Sequence, residues 1–198
     1  MPTIGIGVEG PSDKAFWDKV LHKHFAPSRF DIRAMGSVQR VIRDAPSLIE
    51  AFRSYLYQAA FLILDFDTSL RKGYRCPAQV IQEFDPVVQA EARTPVQSRF
   101  SFICVAVRGL EAWYLADELA IRAVFKHSAY SAPSDTGELN PRSVLLELSR
   151  SETGSSTLNK LETARRLAPR FDPTRAQERS PSFAHFWERL SLVADRDV

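Results

Sequence analysis

Hydrophobic and polar positions change period in a regular order along the 198-residue chain. Thr3 to Val8 is short and β-rich and reads as a first strand. Pro11 or Ser12 opens a helix reaching about Phe25, with Phe16, Trp17, Val20 and Leu21 on one stripe. Phe30 to Met35 reads as a second strand, and Pro46 to Tyr57 as a second helix carrying Leu48, Ile49, Phe52 and Leu56. Ala60 to Leu64 is a continuous apolar run ended by Asp65. A run without polar alternation marks a strand buried on both faces. A loop with Gly73 and Pro77 follows, then a helix from about Ala78 to Ala92, in which Pro86 predicts a kink or a break. Phe100 to Val107 is another apolar strand, and Gly109 to Leu119 a helix directly after it.

The alternation of strand and helix predicts an α/β fold. Its core is a parallel, doubly wound sheet of about four strands with right-handed crossovers and helices on both faces. Lys126 to Glu138 is rich in Ser, Pro, Gly and Asp and reads as a loop. Everything beyond it reads as helical, with Asn140-Pro141 and Ser180-Pro181 each pairing an N-cap with a proline at the first helical position. The expected organisation is an α/β core over residues 1–125 and a helical extension over 126–198 packed on it.

Composition narrows the class. Apolar residues make up 44% and charged residues 25%, as in an ordinary globular protein. Cys76 and Cys104 stand far apart, which argues against a disulfide framework or a zinc site and fits a reducing compartment. The first ten residues lack the basic region of a signal peptide, and no apolar run approaches the roughly 20 residues that span a bilayer. The expectation is a cytoplasmic protein with no membrane partner. A net charge of +2 does not announce a nucleic-acid binder. The 20 Arg against 6 Lys fit phosphate contacts, and fit a GC-rich genome more simply.

Candidate chemistry sits at the strand ends, because ligands of open parallel sheets bind outside the carboxyl ends of the strands. The first strand ends in Val8-Glu9-Gly10 and the third in Leu64-Asp65-Phe66-Asp67. In extended backbone Asp65 and Asp67 point to the same side. Carboxylates gathered in this way repel unless a hard cation lies between them, and Mg²⁺ takes one or two carboxylates with waters and phosphate oxygens. Two other patterns compete. Gly5 to Gly10 spells GxGxxG, but only four residues precede it, so the stretch is better read as the strand itself, with small residues where a neighbour packs closely. Asp65-Phe66-Asp67-Thr68-Ser69 resembles the nucleophile loop of haloacid-dehalogenase-like phosphatases, which normally sits on a first strand and ends in Thr or Val.

Val-Glu-Gly-Pro-Ser-Asp (Val8 to Asp13), followed by an apolar strand and Asp-Phe-Asp, resembles the Toprim superfamily of topoisomerases, primases and OLD-type nucleases. Glu111-Ala112-Trp113-Tyr114-Leu115-Ala116-Asp117 looks like the E-A-W-x-L-A-D signature of a bacterial Toprim-like family of unknown function. The segments from Asn140 to Lys160 and from Ser180 to Phe183 look like that family's C-terminal helices. The resemblance implies that Glu9 holds metal or acts as general acid-base, that Asp65 and Asp67 bind metal, and that Asp13 stands at a usually acidic position. It implies a further acidic cluster of Glu111 and Asp117, with Glu111 nearer the strand tip. Lys160 corresponds to a lysine that neutralises charge at the scissile phosphate, although Thr157-Leu158-Asn159 stands where an aromatic usually precedes it. Trp113, Tyr114 and Leu115 read as core, His22 and His24 as solvated, and Ser180 and Ser182 as caps.

The function so implied is a Mg²⁺- or Mn²⁺-dependent phosphodiesterase acting on DNA or RNA, the effector of a phage-defence or DNA-maintenance system. The alternative is a non-catalytic or conditionally active partner of an ATPase. The phosphatase is third.

Overall fold

The computed structural model describes residues 3–26, 28–66, 75–127, 129–132 and 140–194. Four parallel strands, β1 (Thr3–Val8), β2 (Arg29–Ala34), β3 (Ala59–Phe66) and β4 (Ser101–Val107), form one sheet in the order β2-β1-β3-β4. β1 and β3 are therefore neighbours, and their acidic ends lie side by side. The helices α1 (Pro11–His24), α2 (Val38–Ser54), α3 (Pro77–Ile81) and α4 (Pro86–Arg93) connect the strands. After β4 come α5 (Leu110–Leu115), α6 (Glu118–Phe125), α7 (Pro141–Thr153), α8 (Lys160–Leu167), α9 (Pro173–Arg179) and α10 (Pro181–Ala194).

The fold class matches the expectation, and three boundaries differ for physical reasons. α2 begins at Val38 rather than Pro46, because Ser37 accepts a hydrogen bond from the Arg40 amide and caps the helix there. Pro46 is carried inside it, at a cost of about 3 kcal/mol for an interior proline. Val38, Val41 and Ala45, all buried in the first two turns, offset it. The helix expected from Ala78 to Ala92 is two helices. Pro86 occupies the first position of α4 and Asp85 caps it by accepting from the Val87 amide at 2.8 Å. The helix expected from Gly109 to Leu119 also breaks, at Asp117, which caps α6 by accepting from the Ala120 amide at 3.1 Å.

The sheet is buried on both faces. On one face α2 and α4 cover Leu62, Leu64 and Ile103. β1 lets α2 approach closely: a methyl on Gly5 would run into the Phe52 ring, and one on Gly7 would lie 2.8 Å from Leu48 Cδ2. The GxGxxG stretch is thus the strand itself. On the other face one apolar cluster runs without interruption from Ile4 to Val193, joining the sheet and α1 to α8 and α10. Trp17, Trp113, Phe183 and Phe186 meet edge-on or stacked at its centre. Fully burying a side chain of this size contributes about 1.5–3 kcal/mol. The helical extension shares this core with the sheet. Among the described residues no helix is long and apolar enough to cross a membrane.

Candidate metal centre

Glu9 follows β1 directly, and the chain then turns into α1 through Gly10 and Pro11. The Gly10 amide donates to Asp13 Oδ2 at 2.8 Å, which folds Asp13 back over the tip of β1. The Glu9 carbonyl accepts from the Gly36 amide at 2.6 Å, tying this tip to the end of β2. The Glu9 side chain reaches the other way, and its Oε1 accepts from the Asp65 backbone amide at 3.0 Å.

Asp65 stands opposite Ala106 in the β3–β4 register. Beyond β4 the chain reverses through two left-handed residues, Arg108 (φ 67°) and Gly109 (φ 92°). This turn brings the first amide of α5 onto Asp65, whose Oδ1 accepts from the Leu110 amide at 2.8 Å. Gly109 is required for space as well as conformation. A methyl there would lie 3.2 Å from Glu111 Oε2 and 3.6 Å from Asp65 Oδ2. The two carboxylates therefore face one point beside the Gly109 Cα.

Lys160, the first residue of α8, reaches this group from the helical extension, with its Nζ 2.5 Å from Glu111 Oε1. Ser12, Asp13, Glu111, Tyr114 and Lys160 line one small pocket. Four carboxylates, those of Glu9, Asp13, Asp65 and Glu111, thus gather around Asp65, and one of them, Glu111, pairs with Lys160. Burial pushes the Asp65 carboxyl well above the usual range, and the charges of Glu9, Glu111 and Asp13 push it further. Burial raises Asp13 too, against the Gly10 amide, and Glu111 adds to the rise. Burial works to lower Lys160, but Glu111 outweighs it and holds the ammonium above its ordinary value.

Residues 8–191 match the family described as Domain of unknown function (DUF4276). The chain belongs to that family. No curated protein and no solved structure gives a significant match. The span that places the chain in the DUF4276 family contains every residue of the acidic cluster.

The structure brings Glu9, Asp13, Asp65, Glu111 and Lys160 together. Asp67 lies outside the described residues. Asp117 is engaged elsewhere. It is fully buried, but its Oδ1 and Oδ2 accept from Arg175 Nε and Nη2 at 2.8 Å each, and Oδ2 also accepts from the Asp172 amide at 2.8 Å. Its partners are structural, and they lock α6 to α9. Tyr114 is more than a core residue. Its ring does pack on Phe16, centroids 4.2 Å apart. Its hydroxyl is buried without a hydrogen-bond partner among the described residues. Burial and the charges of Asp13, Glu111 and Asp65 push its pKa well up. Its place between Glu111 and Asp117 in a short helix was the only sequence signal.

The donor set is all oxygen and carries high negative charge, which fits a hard divalent cation. Among the described residues no three such side chains stand as a ready ligating group. Mg²⁺ needs only one or two protein carboxylates when waters and substrate phosphate complete its shell. The point beside Gly109, faced by Asp65 and Glu111, supplies that number.

Proposed function

We propose that this chain is a metal-dependent phosphodiesterase that hydrolyses a nucleic acid, with Mg²⁺ or Mn²⁺ as cofactor. The observation that carries the reading is the convergence of Asp65 and Glu111 on one point beside Gly109, with Glu9 and Asp13 adjoining. Carboxylates held in mutual repulsion in a desolvated site are stabilised by a hard cation. When bound, that cation supplies charge neutralisation at the phosphate and an acidified water. Glu9 and the Leu110 amide fix Asp65 from two sides, so its carboxylate is preorganised. Lys160 keeps a positive charge beside Glu111 and can donate from Nζ to a phosphate oxygen. Cytoplasmic action in phage defence or DNA maintenance belongs to the same reading.

The test is incubation of the purified chain with single- and double-stranded DNA and RNA, with Mg²⁺, Mn²⁺ or EDTA. Metal-dependent cutting that Asp65→Asn and Glu9→Gln abolish is the expected result. No cutting of any substrate by the chain alone rejects it.

A second reading, a conditionally active partner of an ATPase, is favoured by the Lys160–Glu111 ion pair. Lys160 holds Glu111 through Oε1, the oxygen other than the one beside Gly109, so a rearrangement of α8 would release that carboxylate and switch the centre on. Cutting that appears only when an ATPase is added distinguishes it.

A further inference from the structure

β4 is the last strand of the sheet, and among the described residues no strand pairs with its outer side. α4 and α10 flank this open edge from opposite faces. α10 presents Ser182, His185 and Arg189, three and four residues apart and so on one stripe. α4 presents Gln89 and Arg93, four apart. With Pro77, Ala78 and Ile81 of α3, with Arg99 just before β4, and with Ile103 to Val105 as floor, they enclose a cleft of about 480 Å³. That volume lies within the range of small-ligand sites, about 300–1,000 Å³.

The cleft is cationic. Three arginines, Arg93, Arg99 and Arg189, carry that charge beside His185, and among the described residues no Asp or Glu lines the cleft. Within the same residues neither Arg93 nor Arg189 has an ion-pair partner. Arg99 is positioned by donating Nε and Nη2 to the Thr94 carbonyl, at 3.1 and 2.7 Å. The neighbouring acid Glu91 is engaged elsewhere, by Arg53 at 3.0 Å and by the Phe100 and Ser101 amides at 2.6 and 3.2 Å. Burial and the Arg189 charge both lower the pKa of Arg99, and burial, Arg189 and Arg99 lower that of His185. Such an array is self-repelling, and an oxyanion that accepts several guanidinium hydrogen bonds relieves it. The cleft is also tied to the C-terminal end of β4. The Val107 amide donates to Ser182 Oγ at 3.4 Å, and Val107 lies opposite Phe66, the residue after Asp65.

We propose that the β4-edge cleft is a binding site for phosphate esters, with Arg93 and Arg189 as the gripping residues and Arg99 as a fixed charge at one end. The ligand is a nucleotide or the backbone of a nucleic-acid strand, which share this chemistry. The inference concerns binding and does not rest on hydrolysis.

The test is titration of the full chain in EDTA, so that nothing is cut, with two probes: a labelled single-stranded oligonucleotide and adenosine monophosphate. Inorganic phosphate is the competitor. Arg93 is exposed and Arg189 half-buried, so alanine variants of both are compatible with folding. Each is expected to weaken binding by about tenfold or more, while Arg150→Ala on α7 leaves it unchanged. For a strand, losing one phosphate contact lowers the salt slope by about 0.7. Strand binding with phosphate competition identifies a nucleic acid, and mononucleotide binding alone identifies a small phosphoester; both support the site. No binding of either probe by the wild type, or equal binding by wild type and both variants, overturns it. A chain that binds in this way but cuts nothing with Mg²⁺ leaves the cleft standing and removes the hydrolase reading. A chain whose Arg93 and Arg189 variants cut and bind normally does the reverse.

Discussion

Lys160 Nζ and Glu111 Oε1 lie 2.5 Å apart, so the helical extension places its first α8 side chain inside the carboxylate cluster of the sheet. The lysine side chain is 42% exposed and the glutamate 12%, so solvent screens the pair from one side. Lys160→Met is expected to lower metal-free stability by about 1 kcal/mol or less, a shift of about 2–4 °C in Tm. Glu111→Gln in the same chain should recover most of that loss. Thermal melts of the two single variants and the double variant in EDTA measure the coupling. Strictly additive losses would show that the contact carries no coupling energy.

Asp65 has its pKa raised on folding, by burial first and then by Glu9, Glu111 and Asp13. The folded state therefore binds the proton more tightly than the unfolded state. The stabilisation from protonated Asp65 is complete below the unfolded value near 3.8 and is lost as pH rises through the folded value. Metal-free stability should fall with rising pH across that window, and Asp65→Asn should flatten the fall. Denaturant melts in EDTA at a series of pH values check it. A wild-type profile no steeper than that of the variant contradicts the repulsive cluster.

Metal should reverse that repulsion. At about 100 times its dissociation constant a ligand adds about 2.7 kcal/mol to stability. Mg²⁺ or Mn²⁺ should raise the wild-type Tm, and Asp65→Asn should lose most of the gain. Equal shifts in both proteins would place any bound metal elsewhere.

Asp117 should behave as a structural residue. It is fully buried and bound by both arms of Arg175. Removing one partner of such a pair costs about 3–5 kcal/mol. Arg175→Ala and Asp117→Ala should each destabilise on that scale, and the metal-induced Tm shift of whatever folded protein remains should match wild type. Loss of the metal shift with little loss of stability would return Asp117 to the metal centre.

Gly109→Ala tests the geometry of the turn. A non-glycine residue at φ 92° is strained, and the new methyl would lie 3.2 Å from Glu111 Oε2. The expected cost is about 1–3 kcal/mol, with a weaker metal-induced shift, because Asp65 and Glu111 are forced apart. Unchanged melting with and without metal would show that the turn tolerates a side chain.

Short-range pattern determined much of this protein. The apolar runs ending in Asp65 and Val107 and the Val8-Glu9-Gly10 turn specify parallel strands, with acids at the tips of the first and third, because burial on both faces and a sharp exit are local properties. The small residues of β1 announced a close neighbour, which the structure identifies as α2. What local pattern lacks is the identity of a distant partner. The order β2-β1-β3-β4 sets Glu9 against the Asp65 amide, and only packing of α8 on the core brings Lys160 to Glu111. Asp117 reads like its neighbour Glu111 in sequence, yet the break after α5 turns it toward Arg175, 58 residues away. The arginines of the β4-edge cleft are scattered from Arg93 to Arg189 and carry no motif. They meet because the sheet ends at β4 and two helices from opposite faces overhang that edge, an arrangement decided by tertiary packing alone.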